Sequence, residues 1–168
     1  MHPTDPRNSK MTPEQDAAAR FLEHELLTTI PLARDMQLRV VRFDGAELEL
    51  AAPLAPNVND KGCAFGGSMA SLMTLASWGL ARLALREHGF DPDIYVQDSH
   101  IEYLAPVWTE LRICARAPEG HSLADFVSMY AARGKARISL YAEVDIAGQA
   151  AARLSARFVA KRREEKTA

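Results

Sequence analysis

Cysteine is scarce in this chain: two among 168 residues, Cys63 and Cys114, far apart and in no metal-ligand spacing. That excludes a disulfide scaffold and a cysteine-based zinc site, no metal being expected, and fits a reducing cytoplasm, the expected compartment. An excess of one charge is also missing. Twenty Lys and Arg against 22 Asp and Glu give a formal net charge of -2, so no global attraction to nucleic acid or to an anionic membrane is expected. The N-terminus, Met1 to Lys10, holds no apolar run of the kind that opens a signal peptide. The longest uncharged stretch, the eighteen residues Ala64–Ala81, includes Ser68, Ser71, Thr74 and Ser77. A membrane span needs roughly 20 mainly apolar residues, so this stretch reads as a buried core helix. No Gly-x-Ser-x-Gly elbow and no Ser-His-Asp spacing occur, which argues against a serine hydrolase. Internal repeats and interior linkers are absent too.

What remains is an ordinary globular composition, 48% hydrophobic and 25% charged, in a length suited to one domain. Residues 1–11 read as a disordered leader. Thr12-Pro13-Glu14-Gln15 is a capping box with proline at the first helical position, and its helix is expected to stop before Pro31. Gln37–Phe43 and Ala46–Ala51 read as two strands around the hairpin signal Asp44-Gly45. Pro53–Gly62 is expected as loop. A long helix over Gly66–His88 follows, closed by Gly89. Strands are then expected over Ile94–Leu104, Thr109–Ala117, Lys135–Ile146 and Gln149–Lys161, with Ser122–Ala132 leaning towards helix. Residues 12–162 form one domain and 163–168 a charged tail. The order implies an α+β domain whose antiparallel sheet wraps one very apolar helix, and such a helix needs burial nearly all round, which a second subunit would complete.

The long helix opens on Phe65-Gly66-Gly67-Ser68, although glycine is the poorest helix former after proline. Two readings account for it. Missing Cβ atoms let another chain segment pack closely, or they let a ligand oxygen reach the unpaired N–H groups of a helix start. The polar residues just before it, Asn57, Asn59 and Asp60, form a turn in the simpler reading. In the chemical reading Asp60 is a general base with its pKa raised beside a low-dielectric pocket, and Asn59 orients water. Ser68, Ser71, Thr74 and Ser77 make a hydroxyl stripe that either bonds carbonyls one turn back or positions water. On the strand before Pro106, counting back by twos from Tyr103 puts Ser99 and Gln97 on the core side. There they would need a partner, either substrate or a symmetry-related strand. Asp98 and His100 fall on the other face as a base-and-orienter pair or as solvated groups. Cys63 precedes the helix start, where a thiolate is favoured. The basic clusters Arg133-Gly134-Lys135-Ala136-Arg137 and Lys161-Arg162-Arg163 are expected as a solvated strand edge and tail, with phosphate binding as the other reading.

The segments PLAPNVNDKGCAFGGSMASLMTLASWGL and IEYLAPVWTELRICARAP, with the final Phe-Val-Ala, resemble the hotdog-fold thioesterases. More narrowly they resemble the family typified by the C-terminal domain of YiiD acetyltransferases, from about Ile30 to Arg162. The resemblance implies a hotdog fold and hydrolysis of an acyl thioester of coenzyme A or acyl-carrier protein, its carbonyl facing the helix start. It implies a homodimer, or a tetramer built from it, with the site between subunits, and no metal or bound cofactor. Many hotdog thioesterases carry His-Gly-Gly here and an acidic residue two turns later; Phe65 and Thr74 stand in those places. On this basis Asn59, Asp60, Gly67 and Thr74 are the catalytic candidates. Asn57, Phe65, Gly66, Ser68, Gln97 and Ser99 are the candidates for substrate binding. The missing acidic residue leaves a second reading open, an acyl-CoA-binding sensor that does not hydrolyse.

Overall fold

The computed structural model describes residues 10–164. Most of the expected leader and tail thus lies outside the described residues. Met11, the leader's last residue, packs against the core. Helix α1, Pro13–Thr29, is opened by the capping box: Thr12 and Gln15 exchange side-chain and backbone hydrogen bonds at 2.9 and 3.2 Å. Pro31 does more than stop it. With its fixed φ and missing N–H it starts a second, five-residue helix, α2, Pro31–Asp35. The chain then turns through Gln37, at φ 56°, so that strand β1 is Arg39–Phe43 and begins two residues later than expected.

Strand β2 is Glu47–Ala52, and the long helix α3 is Gly66–Arg86. Then come β3, Asp93–Tyr103, β4, Leu111–Arg116, α4, Leu123–Arg133, β5, Lys135–Ile146, and β6, Gln149–Lys161. The six strands form one antiparallel sheet in the order β1-β2-β4-β5-β6-β3. It wraps α3, whose buried residues run from Met69 to Leu85. This is the α+β hotdog fold that the sequence implies. Among the described residues, no helix is long and apolar enough to cross a membrane.

Helix α1 docks on α3 at Gly79, where an added Cβ would lie 2.8 Å from Leu22 Cδ2 and 2.9 Å from Leu48 Cδ2. Leu22 and Leu26 are fully buried, each contributing about 1.5–3 kcal/mol of apolar burial. Arg82 of α3, itself buried, donates to Glu25 of α1 and pairs with Asp91 at 2.9 Å. These contacts fix α1 along the β1 edge and orient α3, so that its N-terminus emerges where β3 ends.

Candidate functional site at the start of helix α3

A short 3-10 turn, Ala55–Asn57, begins the loop before α3. Asn57 is buried, and its amide donates to the carbonyls of Met36 and Pro53 at 3.0 and 2.8 Å. Its own carbonyl accepts the Phe65 N–H at 2.7 Å, while Ala64 N–H donates to Val107 at 2.8 Å. The helix start is therefore clamped from two sides. Phe65 is the N-cap but its side chain supplies no capping bond. The first backbone bond closes from Met69 N–H to the Phe65 carbonyl. The N–H groups of Gly66, Gly67 and Ser68 make no hydrogen bond to any described residue. Free donors at the positive end of a long helix are suited to stabilising an anion.

The two glycines also admit aromatic rings. A Cβ at Gly67 would lie 2.8 Å from Phe65 Cζ, and one at Gly66 would lie 3.3 Å from Tyr103 Cε1. The Tyr103 hydroxyl donates to the Gly66 carbonyl at 3.0 Å. Both rings stay about half exposed, at 53% each. Phe65 and Tyr103 thus flank the donors. In the sequence, Tyr103 marks strand parity and belongs to the segment that carries the family resemblance, but nothing there assigns it to the site. The Tyr103–Gly66 contact spans 37 residues, and no local pattern signals it.

The remaining candidates fare unequally. Asn57 is a buried clamp of the loop, so it offers no amide donor to a substrate. Asn59 uses its amide within its own turn, donating to Cys63 Sγ at 3.2 Å and accepting from Lys61 N–H at 2.8 Å. Asp60 stands in solvent, its side chain 78% exposed and bonded to Lys61 Nζ at 2.9 Å. The low-dielectric surroundings expected for a general base do not exist there in the single chain. Ser68 and Thr74 are half-buried with hydroxyls that bond nothing described. Of the hydroxyl stripe, only Ser71 bonds back one turn, to the Gly67 carbonyl at 2.8 Å. Ser77 is fully buried with its oxygen unpartnered. Cys63 is buried, with the Asn59 amide on its sulfur.

On β3 the expected parity fails. The register with β6 slips between Val96 and Asp98, leaving Gln97 as the extra residue. Gln97 therefore turns outward and accepts from Arg137 Nε at 3.2 Å. Ser99 lies opposite Ala156 but is exposed, because β3 is an edge strand that extends beyond the cover of α3. Asp98 is bound by Arg157, whose hydrogen bond holds the Asp98 carboxyl below the usual carboxylate range. That suits an ion pair and not a base.

Two cavities lie away from the α3 start. One of about 420 Å³ sits on the outer sheet face between β2, β4 and the β5–β6 turn. It contains Glu47, Glu49 and Cys114, with ligand atoms within 4.8 Å of one another. Burial, then the charges of Glu47 and Glu49, push the Cys114 thiol up to about 12, and Arg42 pairs with Glu49 at 3.3 Å. A second cavity, of about 720 Å³, lies beside α4.

The family model described as "Putative thioesterase (yiiD_Cterm)" matches residues 19–162. The chain belongs to this family. The crystal structure of a "putative thioesterase" from Shewanella oneidensis is similar at 32% identity and a TM-score of 0.78, covering 87% of this chain and 99% of that one. A protein of unknown function from Chlorobaculum tepidum is similar at 29% identity and a TM-score of 0.82, over 89% and 97% of the two chains. A thioesterase from Haemophilus influenzae, 14% identical with a TM-score of 0.66 over 94% and 96%, shares the fold. Membership in the family supports thioester chemistry at a coarse level, and the α3 start presents free N–H donors.

Proposed function

We propose that the protein hydrolyses an acyl thioester of coenzyme A or of an acyl-carrier protein. The observation that carries this reading is the set of free N–H groups on Gly66, Gly67 and Ser68, opened by two glycines and flanked by Phe65 and Tyr103. The thioester oxygen accepts from the Gly67 and Ser68 N–H groups, which stabilise the negative charge that grows as water adds to the carbonyl carbon. The new C–O bond forms, the C–S bond breaks, and the leaving thiolate takes up a proton released by the water. The products are a free carboxylic acid and the pantetheine thiol.

Thr74 is the water-positioning candidate with a free hydroxyl, whereas Asn59 is engaged in its own turn and Asp60 is paired in solvent. Seven residues separate Gly67 from Thr74, about 10 Å along the helix axis. That is too far for both to serve one carbonyl within a single chain, so Thr74 would act on a thioester held by a second copy. The β3 edge supports such a dimer. It is unpaired on its outer side, and Tyr95, Val96, Tyr103 and Leu104 are exposed there. The second copy would also enclose the α3 start, which borders neither of the two cavities described above.

A non-hydrolytic acyl-CoA sensor is the second reading, favoured by the absence of any acidic residue along α3, Gly66–Arg86. Free-thiol release from acyl-CoAs of short, medium and long chain separates the two. Turnover that falls roughly 100-fold or more in Gly67→Val, as expected for a damaged oxyanion site, and that drops in Thr74→Ala, supports the hydrolase. Saturable acyl-CoA binding without turnover on any chain length would establish the sensor instead.

A further inference from the structure

The cations of the basic run Arg133–Arg137 are solvent-exposed, as expected, and they also border a cavity. β4 pairs only with Tyr141–Val144 of β5, and the first half of β5 packs against α4 instead. Between α4 and the outer side of β5 and β6 lies the cavity of about 720 Å³. Alternation along β5 turns Lys135 and Arg137 to its exposed side and buries Ala136 and Ile138. Arg133 closes α4 and Arg157 projects from β6, so four cations line one cavity. Their compensation is incomplete. Arg157 pairs with Asp98, but Arg137 bonds only the neutral Gln97 amide, and Arg133 and Lys135 bond no described group. Asp125 is the one carboxylate in the lining, and Met129, 43% exposed, forms an apolar wall.

Converging cations without counter-charges raise a local positive potential that an anion relieves. The volume falls within the range of small-molecule sites, roughly 300–1,000 Å³. Cations on the rim with an apolar wall between them match phosphates joined to a flat base, and suit this better than the broad acidic surface of a carrier protein. We propose that this groove binds a phosphorylated adenosine, the group that terminates coenzyme A. The link to coenzyme A rests on the thioesterase reading above; the groove itself does not. Arg157 stands opposite Asp98, five residues along β3 from Tyr103, or about 17 Å at the rise of a strand, a distance that an extended pantetheine arm bridges. The groove opens on the outer face of the sheet and the α3 start on the inner one. Two sources of the same chemistry are therefore separable: the nucleotide end of a thioester whose arm passes the end of β3, or a free nucleotide bound apart from catalysis.

Titration calorimetry of the full chain with adenosine 3′,5′-diphosphate tests the groove. The expected result is saturable binding, weaker at high salt, that falls roughly tenfold or more in Lys135→Glu/Arg137→Glu. Binding should persist in Lys135→Arg/Arg137→Lys, and an unchanged melting temperature would show that the reversal leaves the fold intact. No saturable binding by the parent, or binding indifferent to the charge reversal, would overturn the proposal. Kinetics then assign the source. A KM that rises for acyl-CoA but not for the matching acyl-pantetheine in the reversed variant places the groove in substrate recognition. Lost diphosphate binding with both KM values unchanged assigns it to a free nucleotide. Intact diphosphate binding with no turnover of either thioester would refute the thioesterase reading while upholding the groove.

Discussion

At one end of the sheet, the edge of β1 is covered from within the chain, although Arg39 itself is exposed. Helix α1 lies along it, Glu23 Oε2 accepts the Val40 N–H at 2.7 Å, and Met11 Sδ faces the Phe43 N–H at 3.4 Å. At the other end, β3 runs for eleven residues with no described element on its outer side, and Tyr95–His100 are exposed on both faces. A free edge is a template for another strand, and single-chain proteins usually shorten, charge or cover it. Here one edge is covered from within the chain, while the other keeps its full length and its exposed Tyr95 and Val96. The difference points to where a second copy belongs, and the bare edge is also the one that ends at the α3 donors. Each edge can be altered separately.

The largest effect is expected where α1 is seated. Gly79→Val would drive side-chain atoms into Leu22 and Leu48, both fully buried. Overpacking of this kind costs about 1–3 kcal/mol, to be read as a lower denaturant midpoint. Hydrogen exchange should show the Val40 amide losing protection before the amides of β5 and β6, making the β1 edge resemble β3. Equal loss across the whole sheet would show that α1 does not protect β1 independently.

The opposite edge gives the next effect. Val96→Lys with Ser99→Lys places two charges where a symmetry-related strand would approach, and should weaken self-association roughly tenfold or more, about 1.4 kcal/mol. Sedimentation velocity checks this, with circular dichroism to confirm that the subunit still folds. A parent that sediments as a monomer, or an assembly indifferent to both lysines, would rule out β3 pairing and with it the use of Thr74 from a second copy.

Local chemistry made most of the fold legible. The Thr12 capping box, the Asp44-Gly45 hairpin and the apolar stretch from Ala64 each acted as their sequences imply. Reading stopped where distant contacts decide. Pro31 ends one helix and starts another, and only packing of the following turn settles which role shows. The slip at Gln97 reverses strand parity without any glycine or proline to announce it. At the α3 start, the sequence singled out the glycines but not their neighbours. Tyr103 is brought there by the sheet, and Asn57 is drawn inward by the carbonyls of Met36 and Pro53. The same limit applies to Arg133–Arg137, whose charges are plain in the sequence but whose cavity depends on α4 lying beside the part of β5 that β4 leaves unpaired.

The smallest expected effect isolates the device that closes the β1 edge. Glu23 presents one carboxylate oxygen to the Val40 N–H from α1, and the bond is part-buried, so water replaces the acceptor poorly. Glu23→Ala should cost on the order of 1–2 kcal/mol, the range for a hydrogen bond whose acceptor is charged and whose partner is left unpaired. Glu23→Gln keeps an oxygen in reach and should lose less than half of that. The informative readout is again exchange at Val40. It should quicken in the alanine variant, stay slow in the glutamine variant, and leave β3 untouched in both. If exchange stays slow in the alanine variant as well, the Glu23 bond is not what protects the edge. Edge protection would then come from the apolar side of α1, with Leu22 and Leu26 holding the helix over β1 whether or not its amides are satisfied.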